Sequence, residues 1–77
     1  MADLSTEREN LAKAESDIAE GERRITAQAV LIERLRRDNH ETAEAEKLLL
    51  SLQQTLDLWN AHRDEILYQI GRLEGRN

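Results

Sequence analysis

Residues 45–73, AEKLLLSLQQTLDLWNAHRDEILYQIGRL, decide the fold. Apolar positions recur there as Ala45, Leu49, Leu52, Leu56, Trp59, Ile66, Ile70 and Leu73, in steps that alternate four and three once Arg63 is counted in. That is the 3.5-residue period of a helix packed along a coiled-coil seam. Working outward, the preceding half carries its own ladder: Leu4, Leu11, Ile18, Ile25 and Ile32, a strict step of seven. Folding the chain back at Asn39 and His40 meshes the two. Leu35 then opposes Ala45, Ile32 opposes Leu49, Ile25 opposes Leu56, Gly21 opposes Trp59, Ala14 opposes Ile66 and Leu11 opposes Ile70, each pair of numbers summing to 80 or 81.

The boundary signals agree with this hairpin. Thr6-Glu7-Arg8-Glu9 has capping-box spacing and predicts a first helix over 6–37. Arg34, Arg36 and Arg37 suit the negative C-terminal end of that helix. Glu9 with Lys13, Glu20 with Arg24 and Glu33 with Arg37 are spaced for ion pairs along its outer face. Residues 38–42 read as the turn, because Asn39 readily takes the left-handed conformation that ends a helix. Thr42 is the expected N-cap of a second helix over 43–73, and Gly75 its stop. Each helix is then about 31 residues, or roughly 47 Å. The ends, residues 1–5 and 75–77, are expected to fray. The expected fold is all-α: one antiparallel two-helix hairpin over 1–77, dimerising into a four-helix bundle.

Composition narrows the function classes. At 77 residues the chain makes one small domain, and it has no Cys and no Pro. Charged residues are 35% of the chain, too many for a membrane span, and the first residues lack a signal-peptide layout. A cytoplasmic protein with no membrane association is expected. The net charge of −5 disfavours nucleic acid as the ligand. The bases are nevertheless gathered: residues 23–40 hold Arg23, Arg24, Arg34, Arg36 and Arg37 against Glu33 and Asp38 alone. No aromatic residue interleaves them for base stacking.

Catalysis is not expected. Ser5, Ser16 and Ser51 have no adjacent His, there is no thiol, and no phosphate-binding Gly-rich loop occurs. His40 and His62 lie about half a helix apart in the hairpin, so neither a shared metal nor any cofactor is expected. Arg63 sits on the seam beside Ile18, where it is expected to snorkel toward Glu15 or Glu22. Gly21 is expected to make room for the Trp59 indole.

The seam of helix 1 is thin, since its second row reads Glu7, Ala14, Gly21, Gln28 and Leu35. Large aliphatic residues are left over from both seams: Val30, Leu31, Leu48, Leu50, Leu58 and Leu67. Exposed apolar surface of this kind marks a protein interface. These six are the candidate interface, with self-association as a dimer the first expectation and an unidentified protein partner the second.

The residues Gly21-Glu22-Arg23-Arg24-Ile25, Gln28, Leu31-Ile32, Leu35, His40, Thr42, Ala45-Glu46, Leu48-Leu49, Leu52, Thr55-Leu56, Leu58 and His62-Arg63 resemble a set of short alphaproteobacterial proteins of uncharacterised function. The resemblance covers roughly residues 20–63, and members often carry Gly where Asn39 stands. It implies a helical hairpin and brings no activity. The expected architecture is also similar to that of Rop, a dimeric plasmid regulator that binds RNA. By that analogy Arg23, Arg24, Arg34 and Arg37 are the RNA-binding alternative.

Overall fold

Two helices joined by a short turn make up the structure, a computed structural model that describes residues 3–75. Helix α1 spans Leu4–Arg37 and helix α2 spans Ala43–Leu73; no strand is present among the described residues. They pack side by side as an antiparallel hairpin measuring 56 × 19 × 15 Å.

The turn follows from Asn39. Its φ of 59° places it in the left-handed region that Asn tolerates best after Gly. The Asn39 N–H donates to the Arg36 carbonyl at 3.1 Å, and the His40 N–H donates to the Leu35 carbonyl at 2.8 Å. This is the Schellman motif, and it satisfies carbonyls that the end of α1 leaves unpaired. At the far end Gly75 takes a φ of 79°, and its N–H donates to the Arg72 carbonyl at 3.0 Å.

Helix α1 begins two residues before the expected position. Asp3 is the N-cap, and its Oδ1 accepts from the Thr6 N–H at 2.8 Å. Thr6 therefore lies inside the first turn rather than capping it. The reason is a competition between overlapping signals, in which Asp3, one of the strongest capping residues, acts first. Of the ends expected to fray, Leu4 and Ser5 are helical, whereas residues 1–2 and 76–77 lie outside the described residues. Thr42 is the N-cap of α2 but makes no side-chain cap. Its hydroxyl instead donates to Glu46 Oε2 at 2.9 Å.

The core is slight. Among the described residues only Ala14, Ile18, Ile32 and Ile66 are buried apolar residues, and no side chain there is completely buried. Gln28, a polar residue on the seam, is satisfied there: its Nε2 donates to the Ala45 carbonyl at 2.9 Å. Gly21 faces α2 as the meshed ladders require. A Cβ built on it would lie 3.4 Å from Leu56 Cδ1 and 3.8 Å from Trp59 Cζ3.

Candidate interaction surface

The two flanks of the hairpin differ in chemistry. A residue repeated every seven positions stays on one flank of a packed helix. On the first flank Arg8 pairs with Glu74 at 2.8 Å, and Arg36 pairs with Glu46 at 2.9 Å. These pairs clamp the two ends of the hairpin. The positions between them on α1 are Glu15, Glu22 and Ala29, and on α2 they are Gln53, Asn60 and Leu67. Asp57 and Asp64 lie beside that row, so the flank between its clamps is acidic, with Leu67 and Leu50 its exposed leucines.

The second flank is open. A cleft of about 180 Å³ lies there, bounded by Asp17, Glu20, Gly21 and Arg24 on α1 and by Leu52, Thr55, Leu56 and Trp59 on α2. Each quartet has the spacing i, i+3, i+4, i+7, the diamond that receives a knob side chain in coiled-coil packing. The missing side chain at Gly21 deepens the cleft. Trp59 forms one wall and remains 36% exposed, although its ladder position predicts a core residue. Stepping by seven from Asp17 and Arg24 reaches Leu31, and stepping back from His62 and Thr55 reaches Leu48. Leu31 and Leu48 therefore extend the cleft toward the turn. Leu58, three residues after Thr55, stands at its outer edge and is 70% exposed.

All six expected interface residues are exposed, but they do not form one stripe. Leu31, Leu48 and Leu58 belong to the open flank. Leu67 lies on the clamped flank with Leu50 beside it, while Val30 faces away from the seam and lines a shallow outer groove with Arg34 and Arg37. Tyr68, also strongly exposed, faces away from the seam and was not among the expected residues.

The arginines are partly engaged. Glu20 holds Arg23 at 2.7 Å and Arg24 at 3.4 Å. The Arg23 hydrogen bond, more than any other contact, holds the Glu20 carboxyl below its ordinary range. Arg36 bridges Glu33 and Glu46. Glu33 thus pairs with Arg36 rather than with the expected Arg37, and Lys13 pairs with Asp17 at 3.3 Å rather than with Glu9. The i,i+3 and i,i+4 partners compete on an exposed face, and sequence spacing does not rank them. Arg34 and Arg37 have no ion pair among the described residues. Arg63 meets Asp64 at 3.5 Å instead of Glu15 or Glu22, and its Nε is buried without a hydrogen-bond partner.

His62 lines a shallow groove with Asn10, Lys13, Ala14 and Asp17, whereas His40 is exposed in the turn. No group of three or more metal-ligating side chains gathers among the described residues, and no described helix is long and apolar enough to cross a membrane. Comparison with protein-family models, with curated proteins and with solved structures found no match.

Proposed function

We propose that the chain is a non-enzymatic helical protein of the cytoplasm that acts through protein contacts, as an adaptor or regulator, and associates with itself. One observation carries this reading: a slight core beside exposed Leu31, Leu48 and Leu58. A single core in a chain of about 70–80 residues rarely supplies more than about 3–5 kcal/mol. A second layer of helices stabilises such a hairpin by covering its apolar flank. No activity is drawn from the resemblance to the alphaproteobacterial hairpins.

Sedimentation at micromolar concentration tests the reading, with a dimer expected. A compact monomer at high concentration would overturn self-association and leave a foreign protein as the partner. The RNA-binding alternative is weaker, because Glu20 occupies Arg23 and Arg24 and leaves Arg34 and Arg37 as the free bases of its set. Salt-sensitive, sub-micromolar RNA binding that is lost on Arg34→Glu and Arg37→Glu would reverse that ranking.

A further inference from the structure

We propose that the open flank is a twofold interface whose occupant is a second copy of this chain, with the twofold axis running along the length of the hairpin. The inference rests on the self-association reading and adds the surface and the axis.

Area is the first argument. The chain exposes 5933 Å². A compact monomer of its 8.9 kDa mass exposes roughly 4,800 Å², leaving an excess of about 1,100 Å². A standard interface takes about 800 Å² from each partner. The excess is therefore of the size that one such interface removes.

Charge selects the flank. Two copies meeting by the clamped flank would bring Glu15, Glu22, Asp57 and Asp64 against the same acids of the partner. On the open flank acids and bases balance. With the axis along the hairpin, α1 of one copy lies over α2 of the other, antiparallel and at equal height. The heights follow from the register, in which Asp17 and His62 line one groove and Gly21 faces Trp59. Lys13 then stands opposite Glu65 of the partner subunit, and Arg34 opposite the partner's Glu44. An isologous interface makes each pairing twice.

Shape agrees with that axis. Leu58 stands at the height of Gly21 on the outer edge of the flank, so the partner's Leu58 packs over the stems of Glu20 and Arg24, while the clefts between Gly21 and Trp59 of the two copies face each other across the axis. Leu48 falls beside Leu31 and Ala27 of the opposite copy. A twofold axis laid across the helices and centred on the hairpin would instead set Leu31 against Lys13. Apolar surface would then meet charge, so the lengthwise axis is the one that covers the turn-proximal leucines.

The test separates this interface from self-association in general. Sedimentation of the full chain should give a dimer, and Leu58→Glu and Leu48→Glu should each raise the dimer dissociation constant by at least roughly tenfold. Leu67→Glu, on the clamped flank, should leave it unchanged, with helicity by circular dichroism preserved in all three. A monomeric wild type would refute both the inference and the reading beneath it. A dimer broken by Leu67→Glu and indifferent to Leu58→Glu would refute only the inference. The axis has its own readout. The chain has no Cys, so a spin label on His40→Cys is unique. Lengthwise symmetry puts both turns at one end, with labels within roughly 30 Å. An axis across the helices separates them by about a helix length, roughly 50 Å, and that result would overturn the proposed axis.

Discussion

Adding one methyl group at Gly21 should make this protein more stable. The Cβ of Gly21→Ala would lie 3.4 Å from Leu56 Cδ1 and 3.8 and 3.9 Å from Trp59 Cζ3 and Cε3. These are van der Waals contacts at the close end of the normal range, so nothing has to move far. Two gains then combine. Replacing Gly by Ala within a helix contributes about 1 kcal/mol through backbone entropy. A fully buried methyl contributes about 0.8 kcal/mol, and Gly21 is half-buried, so about 0.4 kcal/mol is appropriate. The sum, about 1.4 kcal/mol, corresponds to a rise in Tm of about 6–11 °C for a domain of this size. The assay is thermal unfolding by circular dichroism, with both proteins at one concentration because self-association makes Tm concentration-dependent. Trp59 is the single Trp of the chain, so its emission reports the same place and should shift to the blue as the methyl covers the indole. A lower Tm would show that the helices approach more closely at Gly21 than the structure has them. A higher Tm with unchanged emission would mean that Gly21 faces water, and the register would be wrong.

Two further outcomes test the helix ends. Asn39→Val should destabilise by about 1–2 kcal/mol in chemical denaturation, because a β-branched residue resists the φ of 59°, whereas Asn39→Gly should be neutral or stabilising; equal effects would show that the turn is not held left-handed. The Thr6 backbone N–H, above all, holds the Asp3 carboxyl below its ordinary 3.8, so the cap's stabilisation is complete above that pH and is lost as pH falls below it. Asp3→Asn should keep the neutral-pH Tm and flatten its fall in acid, and an acid profile unchanged from wild type would refute the cap's contribution.

The hairpin was legible because its two periodicities share one register and Asn39 marks the place where they reverse. Gly21 against Trp59 followed directly. The start of α1 was less legible, since Asp3 to Thr6 and Thr6 to Glu9 carry the same cap spacing and only geometry separates them. The partner of Arg63 was illegible for another reason. A long side chain between Asp64 on its own helix and Glu15 or Glu22 across the seam chooses by rotamer, which residue spacing does not encode. The leucines off the seam are exposed, as their ladder positions imply. Their division between flanks was not visible, because the side that Leu31 or Leu67 faces depends on how the helices roll against each other. The Arg8–Glu74 and Arg36–Glu46 pairs record that roll.

Those two cross-helix pairs also describe a folding order. Arg36 and Glu46 are 10 residues apart in the chain, and Arg8 and Glu74 are 66 apart. Meeting directly from the unfolded state, the distant pair would have to close a long loop in one step. Starting from the Asn39 turn, each new layer of contacts closes only a few residues more than the layer before it, and loop-closure cost rises slowly with such small increments. A route that zips from the turn toward the termini follows, and on it contacts near the turn are expected to form before the rate-limiting barrier and contacts near Arg8 after it. Weakening Ile32 or Leu49 should slow folding, and weakening Leu11 or Ile70 should mainly speed unfolding.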